Sequence, residues 1–290
     1  MNSSFNSHLI DAYRWSTIGL RQFNLHLARK SGTVPVMILF YHRVSNESPN
    51  PWSISDAGFE EQITWMQQNF DMVDLAECQK RMRDGNNTRP TVSITFDDGY
   101  ADNCNFALPM LIERGIPVTY FVTHHTVNGQ PFAHDVERGQ PLAPNTIESL
   151  RALSRAGVEI GGHTRNHPDL GKIHDQEQLF DEVITASKEM EELIEQKIRY
   201  FAFPFGKFEN LNPVVFKMLK DEGFDGVCSA YGGLNEIGAD PFFLQRIHGD
   251  PMLARIKNWL SGDPRLKSVE KYDWETRLEN PIDSEQPTED

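Results

Sequence analysis

Val92-Ser93-Ile94-Thr95-Phe96-Asp97-Asp98-Gly99-Tyr100 carries the reading of the whole chain. Its first five residues form an apolar, β-branched run of strand length. Its last four end that run in two adjacent carboxylates and a turn-forming Gly. The same pattern recurs elsewhere. Val158-Glu159-Ile160-Gly161-Gly162 leads into His163-Thr164-Arg165-Asn166-His167, and Met37-Ile38-Leu39-Phe40-Tyr41 into His42. Tyr200-Phe201-Ala202-Phe203 leads into Pro204-Phe205-Gly206, and Phe243-Leu244-Gln245-Arg246-Ile247 into His248. Further strands are predicted over 118–122 and 226–229.

Helical patterns lie between the strands. Residues 56–69 carry Phe59, Ile63 and Met66 at helical spacing, with Phe70 just beyond. Asn145 and Glu148 form a capping-box pattern ahead of 146–156, which ends at Gly157. Residues 175–196 put Leu179, Val183, Ala186, Met190 and Leu193 on one face, and 211–222 end at Gly223. Strands alternating with helices predict an α/β fold with a mostly parallel sheet, doubly wound or closed into a barrel. Sites in such folds form at the carboxyl ends of the strands. The repeated junctions therefore point to one common face.

Composition removes several classes of function. The 290 residues carry 28 Lys+Arg against 42 Asp+Glu, a net charge of −14. This argues against non-specific binding of a nucleic-acid backbone, which needs clustered cations. The acidity is local: eight acidic residues and one Lys fall in 175–196, and nine acidic against four basic in 261–290. The proposed chemical residues lie elsewhere. Eighteen Phe and five Trp supply a core, so the chain is not disordered. Three cysteines, Cys78, Cys104 and Cys228, are too few for a disulfide framework or a Cys-based zinc site.

No apolar run reaches the ~18–20 residues of a membrane span. Arg14, Arg21, Asn24, His26 and Arg29 interrupt the continuous stretch that a signal peptide needs. A cytoplasmic protein with free thiols is the expectation. Residues 1–33 read as a helical extension, with Leu9, Tyr13, Leu20, Phe23 and Leu27 among basic residues. That extension is expected to pack on the main domain, 34–262, because its apolar stripe is ragged. A helix lying on a membrane surface is the alternative. The segment 123–145 reads as a long loop, and 263–290 as a loosely held acidic tail.

The chemistry concentrates in two motifs. Adjacent residues leaving a strand point in different directions, so Asp97 and Asp98 can serve separate roles, although Asp-Gly is also an ordinary turn signal. His163-x-x-x-His167 can bring two imidazoles near one metal, and it lacks the Glu of the metalloprotease helix because Thr164 stands there. With Asp98 added, two His and one carboxylate suit a catalytic zinc or a similar divalent ion with a position left for water.

Thr95-Phe96-Asp97-Asp98-Gly99-Tyr100, then His163-Thr164-x-x-His167, then Phe203-Pro204-Phe205-Gly206 resembles the polysaccharide deacetylase family, carbohydrate esterase family 4, over about residues 35–250. The resemblance implies a distorted (β/α)7-type barrel, an N-acetylated glycan as substrate and a divalent metal, most simply Zn²⁺. It implies Asp97 as catalytic base, Asp98, His163 and His167 as metal ligands, and a backbone N–H near Phe205 at the oxyanion. Tyr100, His134 and Asp135 are candidate substrate contacts, as are His124 and His125. The commonest family pattern has Arg two residues before the motif proline, where this chain has Ala202. That departure puts the tuning of Asp97 in question. The Phe-Ala-Phe-Pro-Phe-Gly form resembles the exopolysaccharide and poly-N-acetylglucosamine deacetylase branch. There the general acid can be an N-terminal Tyr-His, here His42, with His248 as its competitor. Trp52 is the best candidate for a sugar platform. A hydrolase of non-sugar C–N bonds and a non-catalytic glycan-binding protein are the rival readings. Oligomeric state is not readable.

Overall fold

The structure is a computed structural model that describes residues 3–280. Its strands are β1 (Val36–Tyr41), β2 (Arg43–Val44), β3 (Ser53–Ile54), β4 (Asp71–Met72), β5 (Thr91–Phe96), β6 (Val118–Val122), β7 (Glu159–Gly162), β8 (Tyr200–Ala202), β9 (Gly226–Cys228), β10 (Phe243–Leu244) and β11 (Ile247–His248). Nine of them form one parallel sheet in the order β10-β9-β8-β7-β6-β5-β1-β11, with β4 added beside β5. The two strands at its ends, β10 and β11, are separated in sequence only by Gln245 and Arg246. One bent stretch thus joins both edges, and the sheet curls into a barrel rather than lying open.

Asn235 seals the seam. Its backbone exchanges two hydrogen bonds with Val36. Its side chain donates to the Gln245 carbonyl at 2.9 Å and accepts from the Gln245 N–H at 2.8 Å. Every residue of β1, β5 and β6 is buried, as expected of strands covered on both faces. Alternation divides them. Val36, Ile38, Phe121, Ala202, Cys228 and Leu244 form one cluster, and Met37, Leu39, Val92, Ile94, Tyr120 and Val122 join the outer helices in another.

The helices follow the sequence pattern with three revisions. The cap of the helix Ile147–Arg155 is Thr146, which accepts from the Ser149 N–H, while Asn145 is buried and donates to the Tyr120 hydroxyl. The stretch 175–196 contains a π-helical segment, Asp181–Thr185, between the helices Gln176–Phe180 and Ala186–Ile194. The tail is not loose over 263–280. Tyr272 and Trp274 are buried, stacking on Phe216 at 5.7 Å each, because two large aromatic rings gain more from burial than the acidic flank loses. Residues 281–290 lie outside the described residues.

The N-terminal extension consists of α1 (Ser3–Ser16) and α2 (Ile18–Ser31). Arg21 holds it to the body, donating to the Asn258 carbonyl at 2.7 Å and to the Asn258 side chain at 2.8 Å. Among the described residues, no helix is long and apolar enough to cross a membrane.

Gly161 makes the β7 end possible. A Cβ there would meet the Phe121 ring at 2.4 Å and the Tyr200 carbonyl at 3.1 Å, and Phe121 is fully buried. Gly161→Ala is expected to destabilise the protein by about 1–3 kcal/mol, measured by urea unfolding. An unchanged midpoint would mean that the barrel yields here.

Candidate active site

The carboxyl ends of β1, β5, β7 and β11 carry His42, Asp97-Asp98, His163 and His248. Parallel pairing sets them side by side, since Tyr41 is in register with Phe96 and Phe40 with His248.

Asp98, His163 and His167 converge, each offering a ligand atom within 4.8 Å of the others. The Nε2 atoms of His163 and His167 stand 3.4 and 3.3 Å from Asp98 Oδ1. That oxygen is buried without a well-formed hydrogen bond, which is costly unless a cation completes the site. Burial alone would raise the Asp98 carboxyl's pKa, but the two imidazoles more than offset this and hold it well below the usual carboxylate range. His163 Nδ1 lies 2.8 Å from the Ala202 carbonyl, so it carries the proton and leaves Nε2 open as a ligand atom. The residues present therefore fit a divalent cation.

The backbone is strained where these ligands sit. Of six non-Gly residues with positive φ among those described, four are Asp98, Thr164, His167 and Phe205. The surroundings impose this geometry. Thr164 Oγ1 accepts from the His167 N–H at 2.9 Å. Buried Glu182 accepts from the backbone N–H groups of Arg165 and Asn166 at 3.1 and 2.9 Å. His124 and His125, candidates for the cleft, instead brace this loop by donating backbone N–H groups to the Thr164 and Arg165 carbonyls. The His124 ring pairs with Glu189 at 3.1 Å.

Asp97 is held by Arg246. The guanidinium donates through Nη1 to Oδ1 at 2.6 Å and through Nη2 to Oδ2 at 2.8 Å. Its remaining N–H groups reach the Ser229 carbonyl and Thr95 Oγ1 at 2.7 and 3.1 Å, and its plane lies over Phe40 and Phe121. Arg246 has no exposed surface and Asp97 almost none. Burial works against the guanidinium's charge, but the attraction of Asp97 more than compensates, and the pKa of Arg246 is raised. Arg246 thus supplies the partner that Ala202 withholds. A lone Arg inside an apolar run of strand length signals a buried ion pair. Glu182 has a similar signature, sharing the apolar face of Leu179, Val183 and Ala186.

His42 and His248 are neighbours, with ring centroids 5.9 Å apart, and both contact Trp52, at 5.1 and 5.8 Å. His42 Nδ1 is buried without a partner. Burial lowers the pKa of both imidazoles, and that of His248 falls to about 4. Trp52 is half exposed above them. Phe205 is exposed on the other side, its ring 5.1 Å from that of His167. The remaining candidates divide. Asp135 does not face solvent: it is buried and accepts the Tyr100 hydroxyl at 2.9 Å, because Phe132 packs on Tyr100 beside it. Of that group only His134 is open to solvent.

Removing Arg246 leaves a buried carboxylate unpaired. Arg246→Met is expected to cost about 3–5 kcal/mol in urea unfolding. In a double-mutant cycle Arg246→Met and Asp97→Asn are expected to couple strongly, and additive losses would show that the pair contributes nothing. His248 gives a pH signature. Its folded pKa near 4 lies below the ordinary 6.5, so its contribution is whole above about 6.5 and is lost as pH falls toward 4. His248→Gln is expected to flatten that part of the stability profile by at most about 3 kcal/mol.

Comparison with known proteins gives this geometry a context. The family model described as polysaccharide deacetylase matches residues 84–227, from before Asp97 to beyond Phe205, and includes neither His42 nor Arg246. YxkH of Bacillus subtilis (strain 168) is 24% identical over 219 residues, covering 75% of this chain and 72% of that protein. A chitooligosaccharide deacetylase of Bradyrhizobium sp. (strain ANU 289) is 30% identical over 138 residues, covering 47% of this chain and 55% of the relative. The chain therefore spans only about half of that relative's length. Two solved structures share the fold at a TM-score of 0.63 each. The Streptococcus pyogenes deacetylase PplD is 21% identical and overlaps 75% of this chain and 93% of its own. IcaB from Ammonifex degensii is 23% identical and overlaps 78% and 97%. Sequence, sheet and relatives converge, and the chain belongs to the polysaccharide deacetylase family, carbohydrate esterase family 4.

Proposed function

We propose that this protein is a metal-dependent hydrolase that removes N-acetyl groups from an amino-sugar polysaccharide or oligosaccharide precursor, in exopolysaccharide metabolism. One observation carries the reading. A carboxylate clamped by a buried Arg stands beside a second carboxylate that faces two imidazoles. Asp98, His163 and His167 would hold the ion, with Zn²⁺ the best match to two nitrogens and one oxygen. When bound, such an ion supplies Lewis-acid polarisation of the acyl carbonyl and acidifies water.

The chain's own groups supply the rest. Asp97 takes the proton of the attacking water, and the fixed fork of Arg246 keeps its carboxylate oriented for that task. His42 gives a proton to the departing sugar amine. Its buried Nδ1, which has no partner among the described residues, supports the assignment, and His248 beside it is the competing acid. The backbone N–H at Phe205, in a left-handed conformation, is available to the developing oxyanion. Trp52 and the exposed Phe205 ring offer apolar faces to sugar rings on either side. The Arg246 clamp also weakens the case for a non-catalytic homologue, since Ala202 no longer implies a detuned base.

Acetate release from N-acetylated oligosaccharides, with bound metal measured by elemental analysis, tests this. Chelation is expected to abolish release and Zn²⁺ to restore it. Asp97→Asn is expected to keep the metal and lose at least about 10²-fold in rate, whereas His163→Ala is expected to lose the metal. Comparable turnover by Asp97→Asn would remove the base assignment. If His42→Ala retains the rate and His248→Ala loses it, the acid is His248.

A further inference from the structure

The N-terminal helices pack on the body, as expected, through one face only. The inner face is bound to the body through Arg21 and through the Tyr13 hydroxyl, which donates to Asp263 at 3.3 Å. The outer face carries large apolar side chains that are uncovered among the described residues. Of nine exposed large hydrophobic residues among those described, five lie here: Leu9, Trp15, Leu20, Phe23 and Leu27, with Trp15 at 64% and Phe23 at 59% exposure. Leu20, Phe23 and Leu27 stand at i, i+3 and i+7, on one face of α2. Helical hydrogen bonds continue across the junction, from the Thr17 N–H to the Tyr13 carbonyl and from the Arg21 N–H to the Thr17 carbonyl. Such a face on a protein of this charge calls for a specific partner.

Charge identifies that partner. Residues 1–31 contain four basic residues and one acidic, within a chain of net charge −14. Arg21 is spent on the body, but Arg29 and Lys30 are exposed in the last turn of α2. Lys30 follows Leu27 by three residues and Phe23 by seven, and so shares their face. An apolar stripe of Trp, Phe and Leu bordered by cations, on a helix too polar to insert across a bilayer, matches a helix lying in the headgroup region of an anionic membrane. We propose that α1 and α2 dock this protein on an anionic lipid surface, with Leu20, Phe23 and Leu27 inserted and Arg29 and Lys30 against the headgroups. The proposal does not depend on the deacetylase reaction.

Flotation of the full chain with vesicles tests it. The wild type is expected to bind phosphatidylcholine–phosphatidylglycerol vesicles at least about tenfold better than phosphatidylcholine alone. Phe23→Glu with Leu27→Glu is expected to abolish that binding, and Arg29→Glu with Lys30→Glu to weaken it about tenfold. Both variants are expected to keep the wild-type melting temperature and zinc content, which separates this test from the activity itself. Failure of the wild type to bind either vesicle would overturn the proposal, as would equal binding by a folded Phe23→Glu, Leu27→Glu variant. Sedimentation without lipid covers the other occupant. A wild-type dimer that the same variant converts to monomer, with no vesicle binding, would assign the face to a second copy.

Discussion

Two opposite charges buried in the middle of a barrel constrain everything around them. Stripping an Arg and an Asp of water costs several kcal/mol each, and their attraction offsets this only with good geometry and no donor left idle. The protein meets both conditions. Asp97 accepts two parallel hydrogen bonds from Arg246, and the spare N–H groups of the guanidinium end on Ser229 and Thr95. Those partners come from β5, from the end of β9 and from the bend between β10 and β11. The pair is satisfied only when the sheet has curled far enough to bring these segments together. Barrel closure and the orientation of Asp97 are therefore one structural condition.

The loop that carries His163 and His167 is built on a second constraint. Left-handed backbone at Asp98, Thr164 and His167 is unfavourable for residues with a Cβ. It persists because neighbouring groups leave the chain few alternatives. Thr164 caps the His167 N–H, Glu182 takes the next two backbone donors, and the His124–His125 backbone pins the loop from the other side. The π-helical segment that carries Glu182 belongs to the same arrangement, since irregular helix geometry often accompanies a functional side chain.

Much of this is legible in the chain because it is local. The strands announce themselves as short apolar runs, and four of them, β1, β5, β7 and β11, end at residues of the candidate site. The convergence of Asp98, His163 and His167 needs only two motifs and the rule that sites gather at strand ends. Legibility fails where partners are remote. Arg246 meets Asp97 across 149 positions, and periodicity holds no information on pairing at that range. It fails also where a segment's composition conceals two aromatic anchors, as with Tyr272 and Trp274 in an acidic tail. Asp135 illustrates a third reason. A carboxylate in a polar loop looks exposed until an aromatic neighbour, Phe132, packs beside it. The N-terminal helices show the reverse, where a ragged stripe conceals one face bound to the body and another left bare.

The bend at Gln245-Arg246 has a consequence for the order in which the molecule acquires competence. Synthesis proceeds from the amino end, and domains fold as their segments emerge. Asp97, Asp98, His163 and His167 are all present in the nascent chain long before residue 243 appears. Yet Asp97 has no counter-ion, and the barrel no final strand, until 243–248 have left the ribosome. A growing chain thus carries Asp98, His163 and His167 while unable to orient Asp97. Asp97 is set in place by the same few residues that finish the wall.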